Sequence, residues 1–292
     1  MKINSFNKIH NNYEVMYNNI IENWEIYLYE NPKIESMIIG ISGGIDSAIV
    51  AVLARQVIDK MNREIKLIGY SLPLISNQED ETNRAILIGN ETCDDFEVIN
   101  KTSETIQFIC SIDEESFFDG IYNQEKLSMA NKIRIGNIKA RTRMIYLYDK
   151  AQKYKGMVLS TDNYTEYLLG FWTLHGDVGD FGPIQGLWKT EVYGLAKWMA
   201  KNNSQLFSLS RCIDSKPTDG LGIADNDLDQ ILSEWKGSYI DGYRKVDETL
   251  IDYLDMNKRF ERNNPVIKRH LDTSFKRKNP VNIHRTKLIQ SF

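Results

Sequence analysis

One stretch near the start constrains this chain more than any other: Ile38-Ile39-Gly40-Ile41-Ser42-Gly43-Gly44-Ile45-Asp46-Ser47, followed by Ala48-Ile49-Val50-Ala51-Val52-Leu53-Ala54. An apolar strand runs into a glycine-rich turn, and a helix starts directly after it. Such a turn aims free backbone N–H groups at one point, where helix polarity also favours negative charge. Phosphate is the natural occupant. The loop differs from a Walker A sequence, which needs Gly-x-x-x-x-Gly-Lys-Ser/Thr. It lacks the lysine and carries Asp46 where a further cation would be expected. A carboxylate beside bound phosphates makes sense if it holds a divalent metal that bridges to them. A plainer role for Asp46 is to favour the helix start through the dipole.

The rest of the chain alternates strands and helices, which predicts a parallel sheet covered on both faces. Residues 13–30 read as an amphipathic helix. Met37–Ile41, Ile65–Leu72, Phe96–Asn100 and Gly156–Ser160 read as strands, with helices from Asp46 to Lys60, Gln78 to Asn90, Thr102 onward and Lys189 to Ala200. Residues 111–132 are less regular, and Asn137 is expected to cap a helix carrying Ile138, Met144, Ile145 and Tyr148. Residues 237–264 are charged and helical in pattern, with no clear chemical signal. In an open parallel sheet, ligands bind beyond the carboxyl ends of the strands, near the point where strand order reverses. The loops after Ile41, Leu72 and Ser160 are therefore expected to face one another.

Composition narrows the class of partner. With 292 residues, 42% hydrophobic and 26% charged, the chain is ordinary for a globular protein. No apolar run approaches the roughly 20 residues that span a bilayer. The first nineteen residues lack the apolar segment of a signal peptide. Cys93, Cys110 and Cys212 form no CxxC pair, which fits thiols in a reducing compartment rather than a zinc site. A net charge of −4 gives no case for nucleic acid. A cytoplasmic protein with no membrane partner is expected, although basic residues gather between Lys268 and Lys287.

The remaining motifs follow in order. Gly136-Asn137-Ile138-Lys139-Ala140-Arg141-Thr142-Arg143-Met144 precedes Ser160-Thr161-Asp162-Asn163-Tyr164-Thr165-Glu166, then Gly176-Asp177-Val178-Gly179-Asp180 and Leu187-Trp188-Lys189. Lys216-Pro217-Thr218-Asp219-Gly220-Leu221 and Phe275-Lys276-Arg277-Lys278-Asn279-Pro280 come later. The first loop resembles the pyrophosphate loop of the N-type ATP pyrophosphatases. The whole series resembles the ammonia-dependent NAD synthetases within that superfamily, from about residue 37 to 280. That resemblance implies an α/β fold: a single domain over residues 1–292, doubly wound, with helices on both faces of a parallel sheet and no glutaminase domain.

The implied reaction is amidation of nicotinic acid adenine dinucleotide (deamido-NAD). ATP adenylates the pyridine carboxylate and releases pyrophosphate, and ammonia then displaces AMP. The substrate carboxylate is itself the nucleophile, so no Ser–His or Cys–His pair is needed; the reaction needs charge neutralisation on the nucleotidyl group and its leaving group. By the resemblance, ATP is held by Gly40, Ser42, Gly43, Gly44, Ile45, Asp46 and Ser47, with Thr161, Lys189 and Thr218. Asp46 and Glu166 ligate Mg2+. Arg141, Asp177, Lys276 and Arg277 serve the acceptor, while Thr218 and Asp219 lie on a loop that shields the adenylate. Asp46, Lys189, Asp177, Thr218, Asp219 and Lys276 form the catalytic set.

Duller roles stand beside these. Glu166 taken alone also reads as a surface helix residue, His175 as structural, and Phe171-Trp172 as core. Arg141 and Arg143 lie two apart on a helix and so point differently. Residues 13–30 and the helix from Asn137 carry more apolar surface than one sheet face needs, which suggests a homodimer.

The chain also departs from the family. Phe275 stands where a histidine is usual, Ser71 where many relatives place arginine, and Ser160 and Trp188 replace a glycine and a threonine. The Asp177–Asp180 spacing is one residue short, and the stretch after Asp219 is compressed. Two alternatives therefore stay open: the same chemistry on nicotinic acid mononucleotide, and a non-catalytic nucleotide sensor that retains the fold.

Overall fold

The computed structural model describes residues 8–74, 77–112, 127–218, 223, 226, 228–232, 235–255 and 263–278. Four parallel strands, β1 (Ser36–Gly40), β2 (Lys66–Ser71), β3 (Asp95–Val98) and β4 (Gly156–Val158), form one sheet in the order β3-β2-β1-β4. The chain moves outward from β1 through β2 to β3, then returns to place β4 on the other side of β1. Strand order thus reverses between β1 and β4, where a doubly wound sheet opens a crevice. Ser36 pairs with Lys66 on one side and Gly156 on the other.

The strand pattern of alternating faces separates two cores. Met37, Ile39, Ile41, Leu67, Met157 and Leu159 pack with the helices of one face. Ile38, Ile68, Tyr70, Leu72 and Val158 pack on the other against Met144, Leu147 and Ala151. The first face is the thicker. It holds α1 (Tyr13–Glu30), α2 (Ile45–Lys60) and α3 (Glu79–Thr92). Its α2 is buried almost all round, Ala48 through Ala54 included, as expected of a helix apolar on every side. In α1, Ile21, Trp24 and Leu28 are fully covered within the chain, while Val15, Ile26 and Tyr29 are exposed.

The second face is covered by α5 (Met129–Lys153), against which α4 (Thr102–Ile112) packs. Here the structure corrects the sequence reading. The helix starts two turns before Asn137, capped by Ser128, whose hydroxyl accepts from the Asn131 N–H at 3.3 Å. Gly136-Asn137 mimics a boundary, yet Gly136 is buried inside the helix and the Asn137 side chain accepts a hydrogen bond from Thr173 at 2.8 Å. A tertiary partner thus satisfies a side chain that reads locally as a cap.

β4 is also shorter than expected. Beyond Val158 the chain turns to a single bridge between Leu159 and Phe181, with Ser160 N–H bonded to the Phe181 carbonyl at 2.8 Å. Asp180 holds this edge by accepting from Val158 N–H at 2.9 Å.

After β4 come α6 (Tyr164–Leu169), α7 (Lys189–Asn202), α8 (Phe207–Ile213), α9 (Tyr239–Leu254) and α10 (Pro265–Asp272), then a 3-10 turn at Lys276–Lys278. No helix among the described residues is long and apolar enough to cross a membrane. The expected Asp219, Gly220 and Leu221, and Asn279 and Pro280, lie outside the described residues.

Candidate active site

The loop between β1 and α2 is shaped by its own residues. Gly43 sits at φ +84°, a conformation that costs a residue with a side chain about 1–2 kcal/mol. A Cβ there would also lie 2.1 Å from the Glu81 carbonyl oxygen, because α3 packs directly on the loop. Ser42 and Ser47 brace the turn: their hydroxyls are 3.1 Å apart, and Ser47 Oγ accepts from Ser42 N–H at 3.2 Å. The N-cap of α2 is Gly44, and no side chain caps that helix. Its first-turn N–H groups therefore remain for a ligand.

Two carboxylates and a lysine meet in front of this loop. Lys189, the first residue of α7, is 2% exposed. Its Nζ donates to Glu166 Oε1 at 3.0 Å and forms an ion pair with Asp46. A cation is unfavourable at a helix N-terminus; here the two carboxylates offset that. Burial by itself would lower the lysine pKa, but Asp46 and Glu166 together hold it well above its ordinary value. Burial drives the Glu166 pKa upward against the pull of Lys189. Two carboxyl groups thus share one ammonium at the edge of the cleft. Asp46 is further fixed by Asn163, whose Nδ2 donates to Asp46 Oδ1 at 2.9 Å while its own Oδ1 accepts from Glu166 N–H at 3.0 Å.

These groups line a cleft of about 260 Å3. Of the residues expected around ATP, Gly40, Ser42, Gly44, Ile45, Asp46, Thr161, Lys189 and Thr218 all face it, as do Glu166 and Asp177. Gly43 and Ser47 shape the loop without lining the cleft. Thr218 donates its hydroxyl to Glu81, which also accepts from Gln78 N–H at 3.1 Å. Arg84 joins α3 to the loop by donating Nε–H to the Gly43 carbonyl at 2.9 Å. Ser71 lines the same cleft with Arg143, whose guanidinium donates to the Leu72 carbonyl and to Asn77.

A second cleft, of about 710 Å3, adjoins the first and shares Met144 with it. Arg141, Lys276, Arg277, Trp172 and Asp162 line it. Arg141 and Arg143 thus serve different clefts, as two positions apart on a helix requires. Lys276 Nζ donates to the Gly170 and Trp172 carbonyls, and Arg277 donates to the Leu168 and His270 carbonyls at 2.6 and 2.7 Å. Much of the hydrogen-bonding capacity of both cations is thus turned to the backbone. His175 stands in the cleft wall at φ +54°. The aromatic pair divides: Phe171 packs on the core beneath the Arg269 guanidinium, 3.7 Å from its ring centre, while Trp172 faces the cleft.

Asp177 lines the loop cleft and Asp162 the larger one. Burial, reinforced by Asp177, raises the Asp162 pKa to about 7, against a 2.7 Å hydrogen bond from Ser160 that lowers it. Burial raises Asp177 to about 6, although it accepts from Thr173 N–H at 2.8 Å and feels Lys276. Among the described residues, no group of three or more His, Cys, Asp or Glu side chains could hold a metal unaided. Sequence reasoning overlooked Asn163, Asp162, Glu81 and Arg84. Only Asn163 carried a local signal, since Asn-x-x-Glu is a capping-box pattern.

Comparison with known proteins gives one consistent outcome. The NAD synthase family model matches residues 16–280. The NH3-dependent NAD+ synthetase of Thermococcus sibiricus is 34% identical over 214 residues, covering 70% of this chain and 74% of that protein. That of Fusobacterium nucleatum is 29% identical over 259 residues, covering 87% and 86%. Among solved structures, the NMN synthetase of Francisella tularensis superposes with a TM-score of 0.71 at 25% identity, covering 93% of this chain and 98% of the other. The NH3-dependent NAD synthetase of Campylobacter jejuni matches in fold, with a TM-score of 0.63 at 23% identity over 94% and 99% of the two chains. The phosphate-type loop, the buried lysine between two carboxylates and the family match through nearly the whole sequence have one reading: the chain belongs to the NAD synthase family.

Proposed function

We propose that the protein is an ammonia-dependent NAD synthetase, an AMP-forming ligase that makes a C–N bond. In the first step the carboxylate of deamido-NAD attacks the α-phosphorus of ATP and pyrophosphate leaves. In the second, ammonia adds to the acyl carbon of the adenylate, AMP departs, and the amide of NAD remains. The observation that carries this reading is the ion cluster of Lys189, Asp46 and Glu166, which lines the loop cleft in front of the uncapped start of α2.

In this reading the N–H groups at the start of α2 hold the pyrophosphate portion of ATP. Lys189 neutralises charge that develops on the phosphates, in a site that costs little reorganisation because its ammonium is already fixed. Asp46 and Glu166 would hold Mg2+, an ion that takes one or two carboxylates plus substrate phosphates. That ion would neutralise charge on the departing pyrophosphate. Thr161 and Thr218 flank the nucleotide. Arg141 serves the acceptor in the larger cleft, Asp177 lies where the two substrates meet, and Lys276 and Arg277 close that side through the backbone they hold. Asp219 belongs to the same catalytic set by the sequence resemblance.

A homodimer fits the apolar side chains that α5 leaves exposed, Met129, Ile133 and Ile145. A cytoplasmic location agrees with the family and with the absence of a membrane-crossing helix among the described residues.

The likeness to an NMN synthetase, together with Ser71 and Phe275, favours a second reading in which nicotinic acid mononucleotide is the acceptor. The test is AMP release from ATP, Mg2+ and ammonium with the two acceptors compared. Turnover with the dinucleotide that disappears in Asp46→Ala supports the proposal. Turnover confined to the mononucleotide moves the acceptor, and silence with both favours a nucleotide sensor.

A further inference from the structure

A single carboxylate behind the site ties together the elements that carry its two opposed charges. Asp247, on α9, is 0% exposed and lies in the charged stretch that gave no chemical signal in the sequence. Its Oδ1 accepts from the Thr165 hydroxyl at 2.6 Å. Its Oδ2 accepts from the Thr190 backbone N–H at 2.9 Å and from the Thr190 hydroxyl at 2.6 Å. Thr165 Oγ in turn accepts from the backbone N–H of Lys189 at 2.8 Å.

Thr165 is the neighbour of Glu166 and Thr190 the neighbour of Lys189. The two residues gripped by Asp247 are therefore each one peptide from a partner of the Lys189–Glu166 ion pair. Tyr243, one turn earlier on the same face of α9, places its ring 5.2 Å from Lys189 Nζ. One helix thus supports the lysine at both its backbone and its side chain.

We propose that Asp247 is a positioning residue that sets the spacing of Lys189 and Glu166, and through them the geometry in which ATP and its metal are held. This rests on the functional reading above. The proton directions make the claim specific. An ionised carboxylate is acceptor-only, so both threonine hydroxyls must donate to it. Thr165 Oγ is then left with its lone pairs turned toward Lys189 N–H.

An asparagine at this position cannot reproduce the arrangement. If its NH2 faced Thr190 it would oppose a backbone N–H that cannot turn away. If it faced Thr165, that hydroxyl would have to accept and release its proton elsewhere. Partners that orient a metal's ligands without touching the metal typically contribute about 10- to 100-fold in activity or affinity.

The experiment compares Asp247→Asn, Thr165→Val and Thr165→Ser with wild type in two assays. Steady-state AMP release is expected to show kcat lower by about 10-fold or more in Asp247→Asn and Thr165→Val, with the KM for ATP changed less than about three-fold. Thr165→Ser, which keeps the hydroxyl, is expected to restore kcat. Mn2+ affinity, read by electron paramagnetic resonance, needs no turnover and is expected to weaken about 10-fold in the same two variants.

Thr165→Val keeps shape and removes only the relay, so it carries the test if Asp247→Asn does not fold. A kcat and Mn2+ affinity near wild type in folded Thr165→Val, or an effect confined to Tm, overturns the proposal. A wild type that binds Mn2+ but releases no AMP overturns the functional reading instead and leaves the Mn2+ comparison to decide this one.

Discussion

Replacing Lys189 by methionine isolates the charge at the centre of the site. Methionine fills most of the volume of the lysine stem, so the loss is chiefly electrostatic. At 3.0 Å from Glu166 Oε1, and with an effective dielectric of about 20, each Coulomb contact of the ammonium is worth about 5 kcal/mol. The cost of burying Lys189 is recovered on substitution, which brings the net down. Asp46 and Glu166 keep side-chain exposures of only 18% and 19% and lose their shared cation. Breaking a buried pair in this way costs about 3–5 kcal/mol.

The sign of the pH effect follows from the pKa directions. In wild type the lysine pKa is raised in the folded state, so its stabilisation is fully present below the unfolded lysine value and disappears only as pH rises through the folded one. In the variant a carboxylate is left whose folded pKa lies above its unfolded one. Its protonation at low pH relieves the strain. The deficit in urea unfolding without divalent metal is therefore expected to be about 3–5 kcal/mol at pH 8 and about 2 kcal/mol at pH 5, with m unchanged. A deficit under about 1 kcal/mol at pH 8, or one that grows toward pH 5, would falsify the argument that Lys189 is the structural counter-ion of both carboxylates.

Three further outcomes follow from other parts of the site. Gly43→Ala forces a side chain into the left-handed region and against the Glu81 carbonyl; an ATP KM raised about 10-fold or more and a stability loss of about 2 kcal/mol are expected, and a wild-type KM would show that α3 can retreat from the loop. Asp162 and Asp177, at about 7 and about 6 when folded, hold protons more tightly than in the unfolded chain, so their stabilisation is fully present below the unfolded carboxylate value and is lost as pH rises through 6 and 7. Their combined contribution to the metal-free protein is expected to fall on the order of 3 kcal/mol between pH 5 and 8, and a urea midpoint insensitive to Asp162→Asn at both pH values would refute it. Ser160→Ala removes the hydrogen bond that restrains Asp162, so the carboxyl titration followed by NMR is expected to move upward; a downward or absent shift would mean the hydroxyl does not donate to it.

What the sequence by itself determined was local. The phosphate loop, the buried α2 and the bounds of α1 follow from a few adjacent residues: glycines that permit the turn, an apolar run that must be covered, and spacing at helical period. Most of the expected set around the loop meets in one cleft because parallel strands deliver their following loops to one sheet edge. The tertiary structure alone decided where charges and hydrogen bonds end. Lys189 reads as a ligand of the phosphates, but its enclosure by Asp46 and Glu166, residues 143 and 23 positions away, is visible only in the fold. Arg277 reads as a substrate cation, yet its guanidinium is held by carbonyls of α6 and α10. Asn137 reads as a cap and serves Thr173. Asp247 gives no signal in the sequence, because a carboxylate on a charged helix looks solvated until its partners are known. The physical reason is common to all four: a polar side chain's role is set by which groups replace water around it, and those groups come from distant parts of the chain.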